Sequence, residues 1–245
     1  MRLRTRLALA LILAAIVPTA IVAHLVGRNL VAGWWRQAVE AQRAETILAA
    51  FAAEAYLEGA VKLVATHAER PRLRDGLVKG SQDLFALALR GLDRETTGFE
   101  TIFVVDARGL SRFHNRDASV VGGDFSHRDY FQGVLRTGRP YVSAPFIGRV
   151  IQEPTVGVAA PIRDGSGRLQ GLLVGTLTLR ALSDMVRRLP HQQGSLMLVG
   201  PGGIILAHRE AERLMQPAET ADPAIARVLS GESGWVRTFS PLPSP

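Results

Sequence analysis

The sequence predicts an α+β protein. Three observations carry this reading: helical periodicity dominates up to about residue 94, strand-like alternation takes over from residue 100, and one hairpin occurs twice. The repeat lies in "FVVDARGLSRFH" (103–114) and "MLVGPGGIILAH" (197–208). Val105, Gly109 and His114 fall on Val199, Gly203 and His208, a constant 94 positions on. Both stretches read strand, tight turn, strand. The chain is therefore expected to hold two related sheet lobes, each sheet with antiparallel neighbours and helices on one face.

The elements follow in order. Residues 7–26, "LALALILAAIVPTAIVAHLV", hold no Asp, Glu, Lys or Arg. Twenty helical residues at about 1.5 Å each span roughly 30 Å, the thickness of a bilayer's hydrocarbon layer. This predicts a transmembrane helix at 7–27. Three arginines in the tail 1–6 place the N-terminus in the cytoplasm, and Trp34 and Trp35 suit the far interface. The rival is a cleaved signal peptide. Its apolar core would be only about 7–15 residues, and Ile21-Val22-Ala23 puts a bulky residue at the −3 position.

Residues 34–70 predict a long helix beyond the membrane. Val39, Ile47, Phe51, Leu57, Val61 and Val64 recur at mostly helical spacings until Pro71. Side-by-side pairing of this helix predicts a homodimer. Another helix is expected at 81–94 behind Ser81 as N-cap. Strands are expected at 100–105, 110–115, 140–145, 154–162 and 169–179. A loop with Gly122-Gly123, a helix at about 127–137 stopped by Gly138, and the turn "RDGSGR" (163–168) connect them. A helix at 180–189 ends at Pro190. The repeated hairpin then opens a smaller lobe, with helices near 210–215 and 222–230 and a strand at 234–239.

Composition narrows the function. The net charge of +7 invites a nucleic-acid reading, but five arginines precede the first acid, Glu40, which leaves +2 for residues 37–245. That body lacks the basic footprint phosphate backbones require, and aromatics at 6% give no base-stacking surface. The absence of cysteine excludes disulfides and thiolate metal sites. No Ser sits in a G-x-S-x-G context, and "GPGG" at 200–203 lacks the Lys of a phosphate loop.

In order along the chain stand "VVDARG", "GDFSHRDYF", "GRPYVSAPFIGR" and "TVGVAAPIRDGSGRLQGLLVGTLTL". This combination resembles the double Cache sensor domains, the PAS-like extracellular modules of bacterial receptors, and the resemblance covers about residues 36–240. It implies a membrane-distal lobe at 71–189 and an incomplete membrane-proximal lobe at 190–245. It also implies ligand capture in the distal lobe, relayed through the long helix to a kinase, chemotaxis module or diguanylate cyclase that this sequence does not include. The chain would be held in the inner membrane with its bulk in the periplasm. The expected partners are a small molecule, the membrane and another copy of the chain; no cofactor is implied and no catalytic residue is expected in this segment.

Arg128 heads the candidate ligand contacts, because a guanidinium fork suits a carboxylate bidentately. The alternative is a local pair with Asp124 or Asp129. Tyr130 and Tyr141 each offer an apolar face with one hydroxyl. Phe131 is a candidate pocket wall or, on the blander reading, core. Ser143 and Thr155 lie on strands expected to line the same cavity, though isolated polar strand residues commonly face water. The amino-acid-binding members of the family pair this Arg with an acid on the last long strand, where the present chain has about Thr176. Nothing there meets an α-ammonium group, which argues against a generic amino acid and leaves a small carboxylate, or a lobe that senses something else, as the alternatives. His114, Asp117, Asp124, His127 and Asp129 crowd one region but lack metal-site spacing, so solvated loop residues are expected there. The other functional classes are a structural envelope protein and, using the Asp and His cluster, an anchored hydrolase.

Overall fold

The computed structural model describes the backbone of residues 3–92, 98–189, 196–218 and 223–231; in the first helix, side chains are described in full only from Val39 onward. Contacts divide the chain into Met1–Thr46 and Ile47–Pro245. The first unit holds only the N-terminal part of helix α1 (Leu3–Ala68). No helix among the described residues is long and apolar enough to cross a membrane. The span expected at 7–27 falls mostly on side chains outside the described ones.

The other unit carries the rest of α1, then α2 (Pro71–Lys79) and α3 (Gln82–Ala88). Helix α2 departs from the sequence expectation. Pro71 ends the periodic pattern of α1, yet at a first turn its missing N–H is one that no helix satisfies, so it also starts α2. Helix α3 is capped by Ser81 as expected but stops at Ala88.

A six-stranded antiparallel sheet follows: β1 (Thr101–Asp106), β2 (Ser111–His114), β3 (Tyr141–Val142), β4 (Phe146–Ile147), β5 (Pro154–Arg163) and β6 (Leu169–Thr178). The spatial order is β2-β1-β6-β5-β3, with β4 also on β5. The single strand expected at 140–145 is two short ones parted by Pro145, which has no N–H for a ladder. Helix α4 (Asp129–Thr137) precedes β3, and α5 (Leu179–Arg188) follows β6 behind the cap Thr178.

Strands β1, β5 and β6 are apolar on both faces, so both must be covered. Ile102, Val104, Val156, Val158, Ile162, Leu173 and Leu177 pack against Val64, Leu73, Phe85 and Leu89 of the α1–α3 side. Phe103, Val105, Ala159, Leu172 and Val174 pack against Tyr130, Phe131 and Val134 of α4. Helices therefore cover both faces, not one as expected, because Phe103, Val105, Leu172 and Val174 make the α4 face need cover as well.

The repeated hairpin is a structural repeat. In the first copy Gly109 N donates to Asp106 O at 2.9 Å and Asp106 N to Leu110 O at 2.9 Å. In the other, Gly203 N donates to Gly200 O at 3.1 Å and Gly200 N to Ile204 O at 2.8 Å. A returning segment closes each: Phe125 N to Gly109 O at 2.8 Å, Ala218 N to Gly203 O at 2.7 Å. His114 Nδ1 accepts from Asp117 N at 3.0 Å, and His208 Nδ1 from Glu210 N at 3.0 Å. The second hairpin, β7 (Leu198–Val199) and β8 (Ile205–Ala207), makes a small core of its own with Leu182 and Val186 of α5. The helix expected at 210–215 is a single tight turn at Ala211–Arg213; that at 222–230 is α6 (Pro223–Leu229). The strand expected at 234–239 lies outside the described residues.

Gly109 and Gly203 share positive φ, +86° and +79°, which L side chains adopt only with strain. At Gly109 a Cβ would also lie 2.6 Å from the Ser126 backbone. Gly109→Ala should lower unfolding stability by roughly 1–3 kcal/mol, as overpacking does, read as a shifted urea midpoint. An unchanged midpoint would show that the returning segment does not depend on this turn.

Candidate functional site

Sheet register lays the floor of a cavity on the α4 side. Thr101 pairs with Thr176, and Thr176 with Gly157, making one row across three strands. The Thr101 and Thr176 hydroxyls are 2.7 Å apart. Gly157 supplies the row's open end: a Cβ there would lie 2.8 Å from Cδ1 of Tyr130. The missing side chain lets the Tyr130 ring lie against the sheet, where it is 1% exposed and packs edge-on to Phe103 at 6.0 Å. Phe103, Phe125 and Phe146 complete the walls of a cavity of about 30 Å³. That is space on the scale of a water. The loop Gly148–Ile151 closes over it.

Four polar side chains line this cavity besides the threonines. Arg128 is the N-cap residue of α4; it is half-buried, its guanidinium 5.3 Å from the Phe146 ring centre. Arg149, from the loop, stands exposed at the mouth with its guanidinium 5.8 Å from the Phe125 ring centre. Neither makes an ion pair among the described residues. Asp124 is taken up by Ser126 N at 2.8 Å and Asp129 by Ala144 N at 2.7 Å, so neither local pair considered for Arg128 forms. Cation–ring contacts contribute only about 0.5–1 kcal/mol at exposed sites. A carboxylate ligand would compete with them readily.

His114 is the third. Its Nδ1 accepts from Arg116 N and Asp117 N, so the neutral ring carries its hydrogen on Nε2. Burial pushes the imidazole below its ordinary value, more than nearby Asp117 raises it. Tyr130 is the fourth. Its hydroxyl has no hydrogen-bond partner among the described residues, and burial pushes the phenol upward, with Arg128 opposing. The lining contains no Asp or Glu.

Of the sequence-predicted site residues, Arg128 and Tyr130 line the cavity. Phe131 is 2% exposed in the core beneath it. Tyr141 packs on α4, where a Cβ on Gly133 would lie 2.3 Å from its ring. Ser143 is buried at the sheet edge, accepting from Gly157 N at 2.9 Å and donating to Ala144 O. Thr155 donates to Glu153 O at 2.9 Å. Sequence reasoning did not find Arg149, Thr101 or the three phenylalanines. Thr101 is a polar residue at the head of the apolar run Ile102–Val105, and its pairing with Thr176 is visible only in the sheet register. Among the described residues, no three His, Asp or Glu side chains stand close enough to hold a metal ion.

A larger open groove, about 690 Å³, runs beside Ala50–Lys62 of α1 and the second hairpin. Its walls are mainly aliphatic, with Glu54, Glu58 and Lys62 as its charged residues. The smaller cavity is the better site because polar groups converge in it.

A family model described as Cache domain matches residues 28–242. The chain belongs to the Cache domain family. Solved structures share this Cache domain's fold at low identity. The ligand-binding domain of the Pseudomonas aeruginosa PAO1 amino acid chemoreceptor PctB, in complex with L-Arg, aligns with TM-score 0.58 and 18% identity over 71% of this chain and 72% of that one. The ligand-binding domain of the Pseudomonas fluorescens chemoreceptor CtaA, in complex with L-isoleucine, aligns at 0.57 and 19%, over 82% and 77%. The sensor domain of the V. cholerae histidine kinase DctB aligns at 0.61 and 14%, over 78% and 74%. Comparison with curated proteins gave no significant match.

The neutral His114 gives this Cache domain a pH dependence. Its folded value is depressed, as is that of His67, which burial also lowers. Below the unfolded histidine value of about 6.5 the unfolded chain binds protons the folded one does not. The associated stability is present above that pH and lost as pH falls. The urea midpoint should drop between about pH 7 and pH 5. His114→Asn keeps an acceptor near Nδ1 without titrating, so it should make that drop shallower and leave the His67 part. An unaltered slope would assign the dependence to other groups.

Proposed function

We propose that the chain is the extracytoplasmic ligand-sensing part of a membrane-anchored signalling receptor, and that the cavity around Arg128 receives a small carboxylate. The observation that carries this is a half-buried guanidinium without an acidic partner, beside the unpartnered Tyr130 hydroxyl in a cavity with no acid. Family membership supports the sensing role. The chemoreceptor domains of similar fold hold amino acids, which carry the carboxylate this site would take. Ligand binding acts by shifting a balance between two states of the domain. Residues 7–27 anchor it, with the bulk of the chain in the periplasm. The duplicated hairpin supports two stacked lobes, 71–189 outer and 190–245 inner. Tyr141, Phe131, Ser143 and Thr155 hold the strands and helix that shape the cavity.

The long helix supplies a dimer contact and a relay toward a cytoplasmic output domain. Ile47 and Phe51, one helical turn apart on the same helix face, are 59% and 69% exposed, and this is the face proposed to meet the other copy.

Two measurements check these assignments. By calorimetry on the full chain in detergent, Arg128→Ala should weaken carboxylate binding by about 2–5 kcal/mol, the cost of removing one partner of a buried charged pair. Unchanged affinity would remove Arg128 from the site. In sedimentation, Phe51→Glu should shift the protein toward monomer by placing like charges opposite each other, with its fold intact by circular dichroism. An unchanged association state would move the dimer contact elsewhere.

A further inference from the structure

Six arginines scattered along the chain meet at one end of the six-stranded sheet. Asp106 is opposite Gly171 and Arg163 is opposite Leu169, so the β1–β2 and β5–β6 turns lie side by side. Their centres stand two strand spacings apart, about 10 Å. Arg108 and Arg112 belong to the first hairpin, and Arg163 and Arg168 flank the turn of the other. The end of α4 joins them: Arg163 donates to Gly138 O at 3.0 Å and to Gly167 O at 2.8 Å. That contact brings in Arg136 and Arg139. All six are exposed. Because β6 runs from this end to α5, the cationic pole is the end of the sheet opposite α5.

The same segments, 106–112, 135–140 and 163–170, hold only two acids. Asp106 pairs with Arg112 at 2.6 Å and Asp164 with Arg168 at 3.3 Å. Arg108, Arg136, Arg139 and Arg163 meet no acid among the described residues. The small net charge of residues 37–245 is therefore unevenly spread, with four uncompensated cations gathered at one pole. Arg163 has a structural use in tying α4 to the β5–β6 turn. The side chains of Arg108 and Arg139 bond to nothing among the described residues. Gathered like charges repel, so the fold gains nothing from them, whereas a polyanion would be drawn to the field they make. Apolar groups stand beside the charges: Leu135 is 47% exposed, Pro140 is exposed, and Tyr141 is half-buried with the Arg136 guanidinium 5.7 Å from its ring centre.

We propose that this pole binds an acidic polysaccharide, a chain of uronic sugars. Carboxylates repeat along such a polymer and suit guanidinium forks bidentately. The C–H faces of its sugar rings suit Leu135, Pro140 and Tyr141 beside those charges. Polyphosphate has no apolar face for these groups to meet. A folded acidic protein would need an apolar centre depleted of charge, and this surface is arginine nearly throughout. The extracytoplasmic placement proposed above supplies the setting in which such a polymer is met.

The test is biolayer interferometry of the full chain in non-ionic detergent with polygalacturonate, its methyl ester, dextran, long-chain polyphosphate and duplex DNA. Polygalacturonate should bind, more weakly as salt rises, and the methyl ester and dextran should not. Arg108→Ala with Arg139→Ala should weaken that binding by about tenfold, the loss of two exposed charge contacts that act together. Replacing Arg2, Arg4 and Arg6 by Ala should leave it unchanged, which sets the pole apart from the basic N-terminal tail. Polyphosphate or DNA bound as tightly as polygalacturonate would overturn the sugar and reveal an unselective cationic surface. Absence of polygalacturonate binding, or loss of it only with the tail arginines, would overturn the pole itself. A thermal unfolding scan of each variant separates lost binding from lost fold. The sensing role of the cavity stands or falls separately, because none of these polymers can enter a space of about 30 Å³.

Discussion

Strand β6 is the constraint on which the rest depends. It is hydrogen-bonded to β1 on one side and β5 on the other, and its residues from Gly171 to Thr178 are buried. A strand in that position leaves no backbone group to water, so its register admits no slip: one residue would exchange the two faces. Leu173 and Leu177 serve the helical side, while Leu172 and Val174 serve the side of α4. Thr176 belongs with Leu172 and Val174. It is a polar break in an apolar row, answered across the strand by Thr101 and by the side-chain gap at Gly157. The cavity exists because these three positions do not fill it.

The walls follow from that floor. Tyr130 lies over Gly157, Phe103 stacks on His114 at 5.6 Å, and Arg128 reaches the same space because α4 begins where it does. The site is therefore fixed on its sheet side and adjustable on its loop side. A sensor needs both properties. In the proposed reading the rigid half recognises the ligand, and the half carried by a short turn has a position that occupancy can change. The duplication reuses one device: in each copy a buried histidine accepts backbone N–H groups through Nδ1 after its hairpin, and only the first of the two also lines the cavity.

Much of this was legible in the sequence. The long strands β5 and β6 are nearly continuous apolar runs joined by the turn "RDGSGR", and their positions match within a residue. Arg128 was legible because a cation beside two aromatics at a helix start is an unusual grouping. Arg149 was not: in sequence it is one charged residue in a loop, and only the β4–β5 pairing turns that loop over the sheet. Ser143 and Thr155 read as lining because the sequence pattern puts both on strands beside the cavity, though Ser143 falls just past the end of β3. In the structure their hydroxyls are occupied with backbone groups, a distinction that depends on local turns and not on strand alternation. Helix α2 was hidden for the same kind of reason, since proline both ends and begins helices and its neighbours decide which.

Hydrogen exchange with and without a bound small carboxylate tests the central claim most directly, because it reports where binding is felt without altering a residue. Ligand should slow exchange in two places: residues 125–134 around the start of α4, and the loop from 146 to 156. The second hairpin, 198–208, should change little. Slowing confined to that hairpin and to residues 50–62 would place the ligand in the aliphatic groove instead, and the account of a donor-lined cavity on the β6 floor would be wrong.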